Sequence, residues 1–390
     1  MSVLADTNVV LGVSGSIAAV KTVELAHELR RAGATVRAVM TDSARGIVHP
    51  WALEFATEHE VVTEITGRVE HVELFGEDGW ADVFLLAPAT ANTVGKIAAG
   101  IDDTTVTTCA TTALGQGVPL VVAPAMHEPM YDHPGVLDSL DTLDSWGVTF
   151  VDPRLEEGKA KIATEEAIVA TTARVAGDDS LAGCHVVVTS GATSEAIDPV
   201  RVLTNRASGK TGRALARACY VRGADVTLLH DGGDVPYATV ERVESAAAMT
   251  EAATETVEDG ADALVSAAAI SDYTTEPSDE KLRSGGELTL ELEPTPKLLD
   301  TVRASAPELT MVGFKLETAG DDETLAAAAR EQLERVELSF VVANRADALG
   351  GEETRVVVVR PDETTTYAGT KPEVATGLAD ELASELVSDA

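Results

Sequence analysis

The stretch from His185 to Gly212 most constrains what this chain of 390 residues can fold into. Its three valines, Val186–Val188, predict a short buried strand that breaks at Ser190-Gly191. A polar loop then ends in TNRASGKTG and leads into GRALARACYVRGA, whose apolar residues recur at helical spacing. A glycine-rich loop therefore opens a helix, and the amino end of such a helix suits an anion.

Two other interpretations of this stretch are weaker. Ser208–Thr211 looks like the end of a Walker A loop, but that motif needs a glycine where Thr204 stands. A P-loop kinase is therefore disfavoured. A plain turn between strand and helix would explain the glycines, but it would not require Thr204-Asn205 and Asp198–Arg201 as well.

Taken whole, the stretch resembles the nucleotide-dependent phosphopantothenate–cysteine ligase family, whose signature runs close to SGGT-E-x-ID-x-VR-x-x-TN-x-SSGKMG. Ala192, Ala207 and Thr211 replace a Gly, a Ser and a Met of that pattern. The later loop Ile270–Gly285 resembles the family's AAVADY…KIKK segment. The resemblance implies the following nucleotide-binding residues: Gly191, Asp272, Lys281, Gly313, Phe314 and Asn344.

The ligase resemblance also implies a reaction. A carboxylate resists attack by an amine until one of its oxygens becomes a leaving group. The family activates 4′-phosphopantothenate with CTP and Mg²⁺ to an acyl-cytidylate, which the amine of cysteine opens. Asn205 would hydrogen-bond the activated acyl group, and Lys281 would neutralise developing charge. The metal ligands and the preference between CTP and ATP stay open.

The first half of the chain begins with another strand–helix–strand pattern. The strand Asn8–Val13 ends in Ser14-Gly15-Ser16, and after a helix a second strand ends at Thr41. Two later apolar strands end in Ala-Pro-Ala, and their prolines are expected to stop ladder pairing. Ligands of open α/β sheets bind outside the carboxyl ends of strands, so residues 88–92 and 124–130 should line one crevice with the first two loops.

Four motifs of this half resemble the homo-oligomeric flavin-containing cysteine decarboxylase family, over roughly residues 5 to 175. They are GSIAA-x-K (15–21), H-x-x-L (71–74), APATANT (87–93) and PAM-x-x-PM (124–130). The resemblance implies FMN, with its phosphate at the first loop and its ring at a subunit contact. The implied FMN-binding residues are Gly15, Ser16, Ile17, Thr41, Pro88, Thr90, Ala125 and Met126.

In that family FMN supplies the electron sink that decarboxylation of a cysteine carboxylate needs. His71 would be the acid/base, and Asn92 would hold the carboxylate by its amide. A lone histidine is more often a surface residue or a polar residue whose hydrogen bonds are satisfied. Because four motifs occur here in the family's order, the functional interpretation of His71 is favoured over the structural one.

The chain departs from the family at two places. His127 stands where relatives commonly have Asn. The flap stretch Asp152–Thr164 contains no cysteine, although the family uses a flap cysteine as proton donor. Cys109 falls inside a predicted core element and is a poor substitute. Lys159, Lys161 or water are the candidate donors.

Three alternatives concern the first half. Flavin prenyltransferase shares the fold and the FMN site, but does not carry a fused ligase half. A non-catalytic flavin-binding protein would not require both His71 and Asn92. An NAD dehydrogenase is weaker still, because GxGxxG and a correctly spaced acidic residue are missing.

Charge and composition exclude further classes. The net charge of −36, from 65 acidic and 29 basic residues, would repel nucleic acid and indicates a surface suited to concentrated salt, so we expect a halophilic archaeal host. No apolar run approaches the roughly 20 residues of a membrane span, and no basic n-region precedes an apolar core. Cys109, Cys184 and Cys219 lack metal spacing. We expect a cytoplasmic protein with small-molecule substrates.

The expected fold class is α/β, with two doubly wound Rossmann-like domains: a flavodoxin-like flavoprotein domain (1–177) and a ligase domain (182–390), joined by a polar linker. In the second domain the strand pattern continues as DVTLLH, ADALVSAAA, ELTLELE (287–293), LTMVGFKLE, LSFVVAN and RVVVVR. By resemblance, trimers of the first domain and dimers of the second combine in a homo-oligomer.

Overall fold

The computed structural model describes residues 3–156, 159–283, 285–318, 321–345 and 353–388. The chain divides into two compact units between Gly177 and Asp178. Within the described ranges, no helix is both long enough and apolar enough to cross a membrane.

In the first unit the strands are β1 (Asn8–Val13), β2 (Thr35–Met40), β3 (Val83–Ala89), β4 (Leu120–Pro124), β5 (Met126–His127), β6 (Thr149–Phe150), β7 (Arg154–Glu156) and β8 (Lys159–Lys161). A 3-10 helix spans Ile17–Lys21, and the α-helices are α1 (Thr22–Arg31), α2 (Asp42–Arg45), α3 (Pro50–Thr57), α4 (Glu70–Phe75), α5 (Ala91–Ala98), α6 (Thr105–Gln116), α7 (Glu128–Tyr131), α8 (Pro134–Ser145) and α9 (Glu165–Ala176).

In the second unit the strands are β9 (His185–Thr189), β10 (Ser194–Asp198), β11 (Arg201–Thr204), β12 (Asp225–His230), β13 (Thr239–Arg242), β14 (Ala263–Ser266), β15 (Tyr273–Thr274), β16 (Glu293–Pro294), β17 (Thr310–Glu317), β18 (Phe340–Arg345), β19 (Glu353–Val359) and β20 (Thr364–Thr370). The helices are α10 (Lys210–Val221), α11 (Ala246–Glu258), α12 (Leu298–Ser305), α13 (Asp322–Val336) and α14 (Lys371–Ser388).

The first unit is built on a parallel sheet with the order β2-β1-β3-β4-β6. This is the flavodoxin-like order, in which the strand order reverses beside the first strand. Every residue of β3 is buried, as expected of a strand covered on both faces. The carboxyl ends of β1, β2, β3 and β4 therefore meet at one edge, and the flavodoxin-like prediction is confirmed.

The second unit has an eight-stranded sheet in the order β13-β12-β9-β14-β17-β18-β19-β20. Its first six strands are parallel and follow the 3-2-1-4-5-6 order of dinucleotide-binding folds. β19 and β20 extend the sheet antiparallel. Hydrophobic clusters cover both faces, with α10 and α14 on one face and α11, α12 and α13 on the other. The doubly wound prediction is confirmed here too.

Three local predictions are wrong. Of the strand predicted at 287–293, only Glu293 belongs to a strand, and Leu288 is 60% exposed. An alternating apolar pattern forms a strand only where its apolar face packs against a hydrophobic core. The polar loop around Asp198 is a hairpin of β10 and β11. Pairing of β3 and β4 also continues past Pro88, since a register shift after Leu86 lets Ala89 pair with Pro124, where β4 ends.

Candidate functional sites

The first loop of the amino-terminal unit packs tightly against the second. A Cβ on Gly15 would lie 2.3 Å from Ser43 Oγ and 2.5 Å from Ser43 Cβ, so only glycine fits at this position. Thr41 caps α2 by accepting the Ala44 N–H, and its hydroxyl lies 3.0 Å from Ser43 Oγ. The predicted residues Gly15 and Thr41 are thus brought together at the ends of β1 and β2.

Two serines connect this loop to the ends of β3 and β4. Ser14 Oγ donates to the Pro88 carbonyl at 2.7 Å and accepts the Thr90 N–H at 3.1 Å. Ser16 caps the 3-10 helix and donates to the Ala125 carbonyl at 3.2 Å. The four loops predicted to share one crevice therefore do so, with Thr90 also capping α5.

The other residues predicted at this crevice lie at its margin. Ile17 begins the 3-10 helix and is 78% exposed, and Asn92 is exposed in the first turn of α5. Met126 lies in β5, which pairs antiparallel with β8 of the flap. The same pairing aligns His127 with Lys159 along the backbone. Residues 157 and 158 at the flap tip, and the side chain of Lys159, lie outside the described residues.

His71 lies on a helix with a strained start. Val69, a β-branched residue, precedes α4 with φ 52° in the left-handed region, which is costly and often found near functional sites. Glu70 anchors the turn: its carboxylate accepts the Thr66 hydroxyl and the Thr66 N–H. These bonds from Thr66 hold the pKa of Glu70 below its usual range. His71 follows directly in the first turn of this helix.

The Nδ1 atom of His71 is buried and has no hydrogen-bond partner in the described chain. Such a group is rare in folded proteins and calls for an explanation, since an unpaired buried polar atom costs free energy. α4 packs against α6, and none of the hydrogen bonds among described residues links His71 to the crevice.

The carboxyl-terminal unit contains a cavity of about 780 Å³ at the carboxyl edge of its sheet. That volume lies within the range of small-molecule sites. The lining includes these predicted residues: Gly191, Asn205, Asp272, Phe314 and Asn344. The cavity thus lies at the edge of the sheet where ligands of open α/β folds bind, and the binding roles of these residues stay predictions.

Close backbone approach shapes one wall of the cavity. Gly191 and Gly209 both have positive φ, at 93° and 69°, and a Cβ on Gly209 would lie 2.8 Å from Gly191 Cα. Ser190 Oγ donates to the Gly209 carbonyl at 2.9 Å. Asn205 Nδ2 donates to the Ala269 carbonyl at 3.0 Å, which ties the TN segment to the loop after β14. Glycine is needed at 209 because the two loops touch there, and at 191 because its φ lies in the left-handed region.

The opposite wall carries a charged pair. Lys297 Nζ lies 2.5 Å from Asp272 Oδ1, and the Asp272 carbonyl accepts the Thr295 N–H at 3.0 Å. Phe314 contributes an aromatic side chain from β17. Gly313 is not part of the lining; a Cβ there would lie 2.7 Å from Leu338 Cδ1, so this glycine serves packing beneath the site.

Lys281 does not line the cavity. It is exposed on the loop after β15, which is tethered to the β10–β11 hairpin: Asp198 accepts the Leu282 N–H at 3.0 Å, and Arg201 donates to the Leu282 carbonyl at 3.0 Å. The structure therefore holds Lys281 near the hairpin, and its catalytic role stays a prediction.

Sequence reasoning missed most of the cations of this cavity. They are Arg206, Lys210, Lys297, Lys315, Arg335 and Lys371. Only Arg206 and Lys210 stood in a motif, the TNRASGKTG segment of the opening stretch. Lys297 follows PTP directly before α12, a position at which a helix amino end could have signalled a ligand site. No group of three or more His, Cys, Asp or Glu within the described ranges could hold a metal ion.

Family comparisons divide the chain at the same place. Residues 3–177 match the model named Flavoprotein, and residues 181–386 match the model of the DNA/pantothenate metabolism flavoprotein C-terminal domain. A solved structure similar to the first half is the FMN-dependent cysteine decarboxylase SpaF, at 32% identity over 44% of this chain and 98% of that one, with a TM-score of 0.40.

Relatives match over nearly the whole chain. The coenzyme A biosynthesis bifunctional protein CoaBC of Thermococcus kodakarensis is 49% identical over 97% of this chain and 95% of the relative. The protein of the same name from Methanocaldococcus jannaschii is 34% identical, covering 97% and 94%. That of Bacillus subtilis is 36% identical, covering 91% of each.

Proposed function

We propose how the two sites of this chain work from the premise that it belongs to the family of bifunctional coenzyme A biosynthesis proteins. It is accordingly an enzyme with a phosphopantothenoylcysteine decarboxylase activity and a phosphopantothenate–cysteine ligase activity. We assign the decarboxylase to residues 1–177 and the ligase to residues 182–390. The observation that supports the assignment is that each unit has its own opening at the strand ends, a crevice in the first unit and a cavity in the second.

The crevice of the first unit fits FMN. Gly15 leaves no room for a side chain, so its loop backbone can approach a ligand closely. The hydroxyls of Ser16, Thr41 and Thr90 gather at the amino ends of three helices, where an anionic phosphate is stabilised. FMN, when bound, supplies the two-electron sink that the C–S unit of the substrate needs before CO₂ can leave.

Two side chains of the first unit would act on the substrate. Asn92 would bind its carboxylate through the amide, which orients the group without adding a charge. His71 would take the thiol proton and return it. Its buried Nδ1 has no hydrogen-bond partner among the described residues. Cys109 cannot replace the missing flap cysteine, because burial in α6 raises the pKa of its thiol to about 12. Lys159, Lys161 and water remain the candidate donors.

A second copy of the chain would complete this site. Among the described residues, no hydrogen bond links His71 to the crevice, and α3 presents large apolar side chains to solvent. Trp51 and Phe55 of α3 are 74% and 77% exposed. We therefore keep the expectation of trimers for the first unit and dimers for the second, and a cytoplasmic location.

The cavity of the second unit would bind CTP and 4′-phosphopantothenate. An oxygen of the substrate carboxylate attacks the α-phosphorus of CTP, pyrophosphate leaves, and the amine of cysteine then displaces CMP from the acyl carbon. Asn205 would hydrogen-bond the acyl oxygen, and the lysines of the cavity would offset the charge of pyrophosphate. We propose that Mg²⁺ enters on the nucleotide phosphates, a usual mode for this ion.

The test uses the full chain loaded with FMN. 4′-Phosphopantothenate, cysteine and MgCTP should yield 4′-phosphopantetheine with one CO₂ and one CMP per turnover. Mass spectrometry measures the substrates and products. MgATP in a parallel reaction settles the nucleotide preference. If neither nucleotide yields phosphopantothenoylcysteine or 4′-phosphopantetheine, the ligase assignment is refuted. Accumulation of phosphopantothenoylcysteine without CO₂ would refute the decarboxylase assignment.

A further inference from the structure

The carboxylate of Asp198 lies at the turn of the β10–β11 hairpin, and its two oxygens have different partners. Oδ1 accepts the N–H groups of Val200 and Arg201 at 2.8 and 2.9 Å. Oδ2 accepts the Leu282 N–H at 3.0 Å and a guanidinium N–H of Arg201 at 2.8 Å. One oxygen therefore closes the turn of the hairpin, and the other binds a loop 84 residues away along the chain.

Two further hydrogen bonds fasten the same loop to the hairpin. Arg201 also donates to the Leu282 carbonyl at 3.0 Å, so the backbone of Leu282 is held at both its donor and its acceptor. The Ser278 N–H donates to the Ile197 carbonyl at 2.9 Å. These contacts fix the stretch that contains Lys281, which directly precedes Leu282.

The base of the hairpin is joined to the cavity of the second unit. The hydroxyl of Thr193, just before β10, accepts the Ser271 N–H at 2.9 Å, and the Thr193 carbonyl accepts the Thr204 hydroxyl at 2.8 Å. Asn205 follows β11 and lines the cavity, as Ser271 does. The hairpin thus connects the cavity lining at its base with the loop of Lys281 at its turn.

Burial makes this connection firm. The side chain of Asp198 has no exposed surface, so water does not compete for its hydrogen bonds. Lys281 itself is exposed, and a lysine on a solvated loop could otherwise occupy many positions. A misplacement of about 1 Å can cost roughly 100-fold in rate, so a lysine that acts on a reacting group needs such an anchor.

We propose that Asp198 is a positioning residue for the ligase reaction, in which it holds Lys281 through the backbone of Leu282. The inference rests on the proposed ligase function, in which Lys281 offsets charge that develops on the reacting groups. Asp198 is not part of the cavity lining, so it acts through the loop and not on the substrate.

Asp198→Asn separates the two roles of the carboxylate. The amide oxygen can still accept the two N–H groups of the turn. The amide nitrogen then stands where Oδ2 accepted the Leu282 N–H and the Arg201 guanidinium. Because an amide nitrogen only donates, donors face each other there, and the loop is released while the turn is kept.

The test measures nucleoside monophosphate formation by the full chain loaded with FMN, at saturating 4′-phosphopantothenate and cysteine, with whichever of MgCTP and MgATP the wild type uses. Asp198→Asn should lower kcat about 10- to 100-fold and change the KM for the nucleotide about 2-fold or less. Decarboxylation of supplied phosphopantothenoylcysteine should stay unchanged. Asp262→Asn is the matched control: this carboxylate accepts the His185 N–H at 2.7 Å, at the amino end of β14, and its loss should leave kcat unchanged.

A double-mutant cycle with Lys281→Gln distinguishes positioning from a structural role. In the Lys281→Gln background, Asp198→Asn should lower kcat about 2-fold or less, because the group that it positions is already gone. Equal losses in both backgrounds would mark Asp198 as structural and overturn the proposal. An unchanged kcat in either single variant would overturn it as well.

Leu282→Pro releases the loop by a second route, because proline lacks the N–H that Asp198 accepts and leaves the carboxylate in place. Its kcat should fall as that of Asp198→Asn does, and it replaces Asp198→Asn in the cycle if that variant does not fold. An unchanged kcat in Leu282→Pro would contradict the positioning role and leave the ligase function intact. Only a wild-type protein that forms no ligation product with either nucleotide would overturn the two together.

Discussion

Substitution of Gly15 by alanine should destabilise the first unit and weaken FMN binding. The added Cβ would lie 2.5 Å from Ser43 Cβ, about 1 Å inside an ordinary carbon–carbon contact. Rotating the Ser43 hydroxyl away leaves that overlap, so the backbone must move. Overpacking of this kind costs about 1–3 kcal/mol, which with a urea dependence near 2 kcal/mol per M lowers the unfolding midpoint by about 0.5–1.5 M.

The chain offers a selective probe for this measurement. All three tryptophans, Trp51, Trp80 and Trp146, lie in the first unit, so their fluorescence in urea reports that unit within the full chain. Quenching of flavin fluorescence measures FMN affinity in the same samples.

A double-mutant cycle isolates the contact. In a Ser43→Gly background the nearest remaining atom, the Ser43 carbonyl carbon, lies 3.1 Å from the added Cβ, so the cost of Gly15→Ala should fall to less than half. Gly46→Ala is the matched control: its nearest neighbour lies at 3.5 Å, and the midpoint should hardly move or should rise. The reasoning is refuted if Gly15→Ala costs the same in both backgrounds, or nothing.

Three further predictions follow from the charges and the sites. His71→Asn should abolish decarboxylation and spare ligation while Lys281→Gln does the converse, and loss of decarboxylation in an intact Lys281→Gln oligomer would contradict separate sites. The melting temperature should rise from 0.1 to 3 M KCl, because 65 acidic residues face only 29 basic ones and salt screens their repulsion; a flat or falling trend would reject the halophilic interpretation. Burial raises the pKa of Asp198, but backbone N–H groups and Arg201 lower it more, so the pKa is depressed in the folded protein. Asp198 therefore stabilises the fold at pH values above its unfolded-state pKa of about 3.9. This stabilisation is lost as the pH falls through the lower pKa of the folded state. Asp198→Asn should flatten this acid-side loss in urea unfolding followed by circular dichroism, and an unchanged pH profile would show that Asp198 is not its source.

Sequence alone determined the features that depend on neighbours along the chain. Ser16, Thr41 and Thr90 cap the helices that follow their strands, because a hydroxyl beside a strand end can accept the first free N–H groups. Strands and helices that alternate must form a parallel sheet with its loops at one edge, so the two ligand sites could be located from motif order.

Only the tertiary structure decided which distant groups meet. Ser43 explains why Gly15 must be glycine, and the packing of α14 on α10 brings Lys371 to the lining of a cavity that Lys210 also lines. The strand predicted at 287–293 failed for the same reason: alternation describes a face, but whether a core exists to cover that face is set by the rest of the fold. Local pattern determines the elements, whereas the surroundings of a side chain depend on contacts that no local pattern contains.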